Sequence, residues 1–510
     1  MWITVILIYI AIPLISGAKI LGVLMTESKS HYSNLRNVAD EMASRGYEVT
    51  LVVPSTISFP ASISVQHLVY KYPFDEKHVE KTLVPMSHSR SLSEIVDDHK
   101  MWMDFFITSC RALITYVKLH REELSKFDLM FRDTPPECGA IVSEMLGIPR
   151  IDIRPGMVMR LYKDISVVSY IPDMFSSNSD RMSFVERVVN LISHTLTWVT
   201  IYQYYARFDE LRKEFGVQEQ RSFEDSLNNV EVVIITGHFA LEYPQPILPA
   251  TKLVGPLTVK TPSPLPRDLE QFIIGAGDKG IILFSLGTLG DEVLQKHQVE
   301  MLAEAFGRLE QRIIWRLNGH VPKGLPPNVK VLPWIPQNDL LAHNRTKAFI
   351  SHAGHNSLYE AAFYGVPMIC MPLFLDQFSN CAQARSVGMA VGVDIKTVTG
   401  DEVYQSIRRI IQEPSFKGNA TRISRLLRDN PRTSVQQAAD WIEYVHRHKG
   451  AKHLRPEVYN LHWYQYYLLD VLAFLLTTLF AFCIAITMLF KLLSKIVTKR
   501  AKGDKISKQE

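Results

Sequence analysis

Cysteine is scarce in this chain. Five residues in 510 (Cys110, Cys138, Cys370, Cys381 and Cys483) are scattered, and no pair has metal-ligand spacing. That count is too small for a disulfide framework, and the expected role of most of them is that of small buried apolar residues. Charge of one sign is also lacking: 56 Lys+Arg stand against 52 Asp+Glu, a net +4. The last twenty residues hold seven basic and two acidic side chains, a net +5, which leaves −1 for the other 490. A nearly neutral body excludes the broad phosphate-neutralising surface that a nucleic-acid partner requires. With 25 Gly and 27 Pro the chain is neither collagen-like nor of low complexity.

Two apolar runs are present. Ile3 to Ile15 is short and is followed by Ser16-Gly17-Ala18, small residues where a signal peptidase reads, so residues 1–18 are expected to be a signal peptide. A basic n-region is missing, and an uncleaved anchor is the alternative. Val471 to Phe490 is a run of twenty uncharged residues between Asp470 and Lys491. As a helix it spans a hydrocarbon core of about 30 Å, with Trp463, Tyr464, Tyr466 and Tyr467 at its entrance. The basic tail 491–510 then lies in the cytosol by the positive-inside rule, and the body lies across the bilayer: a single-pass type I protein.

Between these runs the organisation is bipartite. Seven of the 27 prolines fall between Tyr243 and Pro266, a density that forbids continuous helix and breaks strand pairing. The expected domains are a lobe over 19–243, a Pro-rich linker over 244–266, a second lobe over 267–450, a return and interface segment over 451–470, the span and the tail. Both lobes alternate strand and helix: KILGVLM, SNLRNVADEMASRG and YEVTLVVP in the first, GIILFSLGT, RIIWRLN, VKVLPWI, KAFISH and VPMICMP in the second. Such alternation predicts α/β folding, two facing doubly wound (Rossmann-like) lobes with ligands beyond the carboxyl ends of the strands. Arg181 to Phe215 is aromatic and apolar; helical core is the expected reading, with a lipophilic pocket or a membrane-facing surface as the alternatives.

Gly275-Ala-Gly277-Asp-Lys-Gly280 matches the GxGxxG dinucleotide fingerprint, but helix-like sequence precedes it and a strand follows. That order is the reverse of what pyrophosphate binding at a helix N-terminus needs, so the segment reads as a turn. Trp334 to Gln377 is a stronger signal. It holds a strand (KAFISH), a Gly-containing turn and a helix starting near Asn356-Ser357. His352, Asn356 and Ser357 thus fall where backbone N–H groups are unpaired and the helix dipole is positive, a geometry that binds phosphate. An N-cap and a buried histidine are the blander roles for the same residues.

Taken whole, Trp334 to Gln377 resembles the donor-binding box of UDP-dependent glycosyltransferases, the family that includes animal UDP-glucuronosyltransferases and plant small-molecule glucosyltransferases. Trp334, Gln337, His352, Asn356, Ser357, Glu360, Asp376 and Gln377 reproduce the spacing of that box without insertion. The resemblance continues through FSLGT, SYIPDMFSSNSD, WIEYVHRHKGAKHL and the C-terminal anchor, which is similar to the membrane-bound animal branch. It implies a GT-B fold with the UDP-sugar in the second lobe and the acceptor in the first. On that resemblance Trp334 stacks on uracil, Glu360 accepts from the ribose hydroxyls, and Thr288, His352, Asn356 and Ser357 hold the diphosphate; Asp376 and Gln377 bond the sugar, and Gln337 belongs to the same donor site. His31 is the base that takes the acceptor proton, and Asp133 orients it.

The implied reaction is inverting transfer of glucuronic acid or glucose from UDP-glucuronic acid or UDP-glucose to a hydroxyl of a small lipophilic acceptor, giving a β-glycoside in conjugation and detoxification. No cofactor and no metal are implied; no Asp-x-Asp motif, by which the other large glycosyltransferase class holds a cation, occurs. Glucuronosyl enzymes place an arginine where this sequence has Thr236, which leaves the two donors level. A catalytically silent ligand-binding relative and a single-pass receptor are the alternatives, and both are disfavoured by the intact box with His31 and Asp133. The endoplasmic reticulum membrane is the location implied by the branch, although the tail pairs Lys508 with no second retrieval lysine. Asn344 and Asn419 begin N-glycosylation sequons, and a homo-oligomer is left open.

Overall fold

Strands such as IILFS and VVII, made of Val, Ile, Leu and Phe and buried throughout, belong in parallel sheets covered by helices, and the chain forms two such sheets. The structure, a computed structural model, describes residues 17–59, 64–75, 92–135, 137–157, 164–217, 221–287 and 294–506. The first sheet contains β1 (Lys19–Val23), β2 (Glu48–Pro54), β3 (Val65–Tyr70), β4 (Leu129–Asp133), β5 (Arg150–Arg154), β6 (Val232–Ile235) and β7 (Thr251–Leu253). Their order is β3-β2-β1-β4-β5-β6-β7, all parallel. The second contains β8 (Ile281–Ser285), β9 (Arg312–Arg316), β10 (Val329–Leu332), β11 (Thr346–Ser351), β12 (Met368–Cys370) and β13 (Ala390–Gly392), in the order β10-β9-β8-β11-β12-β13, also parallel.

The helices that matter below are α1 (Lys29–Ser44), α2 (Leu92–Leu119), α3 (Gly139–Leu146), α4 (Phe184–Phe215), α5 (Arg267–Ile274), α6 (Lys296–Gly307), α7 (Gln337–Ala342), α8 (His355–Phe363), α9 (Gln377–Ser386), α10 (Gly400–Gln412), α11 (Pro414–Arg428), α12 (Ser434–His448) and α13 (Leu469–Ile506). Gly275 to Gly280 is a turn between α5 and β8, as its order of flanking elements predicted. Both sheets change direction of strand progression at an inner pair, β1/β4 and β8/β11. At such a switch point the connecting loops part and leave a crevice beyond the strand ends.

The chain does not keep its two sheets as separate in sequence as the expected domains. β7 pairs with β6 from inside the Pro-rich stretch. α12, at the end of the range read as the second lobe, buries Ala438, Ala439, Ile442 and Val445 in the same core as Ile20, Leu35 and Val49 of the first. Arg45 fastens it there through Asp440 at 2.8 Å and Glu443 at 2.9 Å. Both sheets accordingly fall in one compact unit, Met1–Arg455, and a second unit, Pro456–Glu510, carries α13. Within α13, Leu469–Lys499 is long and apolar enough to cross a membrane, and it contains the expected span 471–490. The signal-peptide expectation lies outside the described residues save Gly17 and Ala18. Cys110 of α2 forms a disulfide with Cys138, their Cα atoms 5.8 Å apart, while Cys370 and Cys381 are buried free thiols.

Candidate active site

β1 ends at Val23 and the chain turns into α1, whose first turn carries His31; β4, its neighbour across the switch point, ends on Asp133. The two side chains meet there, His31 Nδ1 donating to Asp133 Oδ2 in a short hydrogen bond. A carboxylate can only accept, so Nδ1 carries the proton and Nε2 is left as the basic lone pair. Burial alone would lower the pKa of His31; the charge and hydrogen bond of Asp133, with Asp376 and Glu27 adding to them, outweigh it and hold the imidazole above its ordinary value. Asp133 is buried, and beneath it Arg132 locks the end of β4 by bonding Asp152 at 2.7 and 2.8 Å and Glu137 at 2.7 Å.

The second switch point supplies polar groups of a different kind. His352 follows β11 directly, and Gly287 follows β8 with φ 78°; a Cβ on Gly287 would stand 2.6 Å from His352 Nε2. Glycine is therefore required both by the left-handed backbone and by the approach of the ring. Burial, helped by Arg316, pushes His352 down to about 4, so the ring is neutral at physiological pH. Thr288, the next expected diphosphate ligand, lies outside the described residues. Ala353 and Leu375 have φ of 62° and 54°, left-handed conformations that non-glycine residues adopt at a cost of order 1–3 kcal/mol. They adjoin His352 and Asp376, so the strain sits on the two loops that aim those side chains.

α8 starts at His355, and its first turn presents Asn356 and Ser357. Gln337 of α7 donates from Nε2 to Ser357 Oγ at 3.1 Å and to Glu360 Oε2 at 2.8 Å, which fixes the buried Glu360 carboxylate. Trp334 is 62% exposed, its ring 5.4 Å from the guanidinium of Arg316, which itself donates to the Gly287 carbonyl. Asp376 immediately precedes α9, makes no side-chain capping bond to it, and accepts from Asn380 Nδ2 at 2.7 Å; Gln377 spends its carbonyl oxygen on the N–H groups of Leu373 and Phe374 at 2.8 and 3.2 Å.

The two switch points belong to one site. Asn356 donates to the Ser30 carbonyl at 3.3 Å, one residue from His31, and the Asp376 carboxylate contributes to the field at His31. His31, Asp133, Asp376 and Asn356 are thus gathered at the join of the sheets, while Gln337, Ser357 and Glu360 form a second, hydrogen-bonded group along α7 and α8 and Trp334, three residues before α7, lies against Arg316. Of the sequons, Asn344 is exposed, whereas Asn419 lies within α11 and donates its amide to the Gly388 carbonyl at 3.2 Å.

Several residues escaped the sequence reading. His355 sits inside the Trp334–Gln377 segment, yet it crosses to the first sheet: Nε2 donates to the Thr236 carbonyl at 2.9 Å and lies 3.0 Å from its hydroxyl. Burial pushes His355 down to about 4. Tyr359, one helical turn on, bonds the buried Glu242 at 3.1 Å, and Gln383 of α9 bonds the other oxygen at 3.1 Å. Glu27, four residues before His31, is held above its ordinary value by burial, against hydrogen bonds that lower it. Only that spacing could have flagged it.

The family model described as UDP-glucoronosyl and UDP-glucosyl transferase matches residues 18–503. UDP-glucuronosyltransferase 2B10 of Homo sapiens is 32% identical over 520 residues, covering 98% of this chain and 96% of that protein. UDP-glucuronosyltransferase 2B17 of Rattus norvegicus is 31% identical, with 93% of each chain covered. Among solved structures, the glycotransferase of kitacinnamycin superposes with a TM-score of 0.60 at 21% identity, covering 84% of this chain and 98% of its own. The calicheamicin glycosyltransferase CalG4 gives 0.58 at 18%, covering 85% and 99%. At those identities the structures speak for the fold alone.

Proposed function

This chain belongs to the UDP-glucoronosyl and UDP-glucosyl transferase family, and we propose that within it the protein is an inverting transferase moving a hexosyl group from a UDP-sugar to a hydroxyl of a small lipophilic acceptor. The observation that carries this is the His31–Asp133 pair at one switch point, set against the donor loops of the other through Asp376 and Asn356. His31 Nε2 takes the acceptor O–H proton as the oxygen forms its bond to the anomeric carbon. The bond from that carbon to the diphosphate breaks, and UDP departs with the electron pair. Asp133 keeps Nδ1 protonated and stabilises the imidazolium that forms.

Negative charge grows on the diphosphate in this step. His352 and the first turn of α8, with Asn356 and Ser357, offer oriented N–H and O–H groups to it, the arrangement expected to act without reorganisation in the transition state. On this reading a chelator leaves the rate unchanged, and a loss of activity in EDTA restored by Mg²⁺ would refute that part of it. Attack opposite the leaving group gives a β-glycoside from an α-linked donor, which product NMR reports directly.

Between the two donors, a neutral hexose is favoured. Thr236, the position where glucuronosyl enzymes carry an arginine, is buried under His355 and bonded to it. The charges acting on His31 are the carboxylates Asp133, Asp376 and Glu27, a field that opposes a sugar carboxylate. Arg154, whose carbonyl accepts from Thr236, is itself paired with Asp164 at 2.5 Å. Full-length protein in detergent, offered UDP-glucose, UDP-galactose, UDP-xylose, UDP-N-acetylglucosamine and UDP-glucuronic acid with phenolic and steroid acceptors, is expected to release UDP fastest with a neutral hexose. A kcat/KM highest for UDP-glucuronic acid would overturn the donor assignment; no release above a His31→Ala control with any pair would sink the enzyme reading. The body is proposed to be luminal in the endoplasmic reticulum, with residues 491–510 cytosolic, which protease protection of microsomes tests.

A further inference from the structure

A buried cysteine is by default a small apolar filler. Cys370 and Cys381, both thiols in the structure, depart from that role because they are placed against each other. Cys370 is the last residue of β12 and pairs in register with Gly392 of β13, so the two stand about 4.8 Å apart across the ladder. Cys381, in the second turn of α9, packs down onto the same spot: a Cβ on Gly392 would lie 3.1 Å from its Sγ. That is closer than such contacts ordinarily are, and glycine leaves the sulfur its room. The two thiols meet in the core of the second lobe, where Cys370 donates a hydrogen bond to Cys381.

A cation stands beside them. Arg385, one turn after Cys381 on α9, lies over the same glycine, its Nη1 3.7 Å from the position of that Cβ. The hydrogen bond from Cys370 holds the Cys381 thiol below its ordinary value against burial, with Arg385 adding to it, while Cys370 is held well above its own. The pair is therefore asymmetric: Cys381 is the sulfur that gives up its proton, as in dithiols that exchange disulfides. Between the two the chain runs from Met371 to Asn380 and carries Asp376 and Gln377. Its Leu375 is held at φ 54°, and left-handed strain on a non-glycine residue persists only where the surroundings hold it. Gln377 supplies part of that hold through the N–H groups of Leu373 and Phe374, and Asn380 Nδ2 bonds both Asp376 and the Ala353 carbonyl. A bond between the cysteines would close the segment at its base.

We propose that Cys370 and Cys381 form a second disulfide, which closes the loop carrying Asp376 and Gln377. The inference rests on the luminal placement of the body and on the donor role of that loop, both proposed above. In an oxidising lumen the Cys381 thiolate attacks one sulfur of a disulfide oxidant such as glutathione disulfide; the S–S bond of the oxidant breaks and one of its halves leaves as a thiolate. Cys370, giving up its proton, then attacks the Cys381 sulfur and displaces the other half. Two electrons pass from the cysteine pair to the oxidant, which takes up the two protons and ends as two thiols. With both sulfurs buried in the folded lobe, the exchange is completed as the lobe folds.

Full-length protein isolated in detergent from microsomes is to be denatured, alkylated with N-ethylmaleimide, reduced, alkylated with iodoacetamide and digested with trypsin. The peptide 348–385, released at Lys347 and Arg385, holds both cysteines. The expected result is acetamide and no maleimide on Cys370 and Cys381, as on the disulfide-bonded Cys110 and Cys138. Maleimide on Cys370 and Cys381 with Cys110 and Cys138 protected overturns the proposal and leaves the luminal placement standing. Maleimide on all four removes the oxidising compartment and the proposal with it. Cys370→Ala/Cys381→Ala keeps the core apolar and frees the loop; it is expected to raise the KM for UDP-sugar roughly threefold or more by misplacing Asp376, with the acceptor KM unchanged. A donor KM equal to that of the parent overturns the closing of the loop, and the peptide map of the unsubstituted protein decides the disulfide even if the double variant fails to fold.

Discussion

Replacing Asp133 by Asn tests the centre of the reasoning, because it changes one atom's chemistry at nearly constant volume. In the structure Asp133 accepts from His31 Nδ1 and so leaves Nε2 unprotonated. An Asn side chain can donate to Nδ1 instead, which places the proton on Nε2, the nitrogen that must be empty. Wrong-tautomer substitutions of this kind in acyl-transfer triads cost roughly 10⁴ in kcat, about 5.4 kcal/mol at 1.36 kcal/mol per tenfold, and a loss of 10³–10⁴ is expected here.

The pH profile adds a readout that a structural role would not move. His31 works as a base only when neutral, so the acid limb of kcat/KM in the parent lies above 6.5, where Asp133, Asp376 and Glu27 hold it. Without the carboxylate, burial prevails and the limb of the residual activity moves to lower pH. Stability runs the opposite way. A folded pKa above the unfolded one stabilises the protein most below pH about 6.5, and that share is lost as pH rises through the folded value; the Asn variant should lose this dependence. UDP release over pH 5–9 and thermal melts over the same range measure both. A variant keeping more than a tenth of parental kcat with an unmoved acid limb would refute the assignment of His31 as base and Asp133 as its partner.

Trp334→Ala should raise the KM for UDP-sugar by roughly 5–150-fold, the loss of about 1–3 kcal/mol of stacking, with little change in melting temperature because the ring is largely exposed; an unchanged KM removes uracil from that face. Gly287→Ala imposes about 1–2 kcal/mol of left-handed backbone strain and drives a methyl into His352, so donor KM should rise while acceptor KM stays. Asp152→Ala removes the carboxylate that the buried Arg132 and Arg150 share, leaving Glu137 alone to compensate Arg132, and should cost roughly 3–5 kcal/mol of stability, read as a lowered denaturation midpoint in urea.

What was legible in the sequence was local. Runs such as IILFS and AFIS declare buried parallel strands by composition alone, and the order of elements around Gly275 and Gly280 identifies a turn. His352 follows its strand, and Asn356 and Ser357 fall in the first turn of the next helix, as the strand–turn–helix reading of that segment expects. The features that were not legible depend on contacts between distant positions. Nothing near Cys110 or Cys138 says that they pair, across 28 residues. α12 reads as one more amphipathic helix, and only tertiary packing assigns its apolar face to the first sheet. In α4 the local signal was present but cancelled: the polar Asn190 and Ser193 face the protein in its first half, and the apolar Phe208 and Leu211 in its second, so the whole helix reads as aromatic and apolar without a preferred side.

The contacts that join the two sheets at the site are made by residues that the proposed chemistry needs for other purposes. Asn356, expected to serve the diphosphate, donates to the Ser30 carbonyl at 3.3 Å and accepts from Asn34 at 3.5 Å. At those lengths the bonds are weak, on the order of 0.5–1.5 kcal/mol each at most, so an anionic ligand can take them over at small cost. The Thr236–His355 and Glu242–Tyr359–Gln383 links lie deeper, are shorter and use groups that no substrate step requires. The join therefore has two layers: buried polar links that hold the two sheets together, and beside His31 a set of longer, weaker contacts. On the proposed function, donor binding would withdraw Asn356 from the first lobe and loosen its contact with the Ser30 carbonyl, one residue from His31. On the proposed function, occupancy of the second switch point would thereby be coupled to the freedom of the first turn of α1, which carries His31.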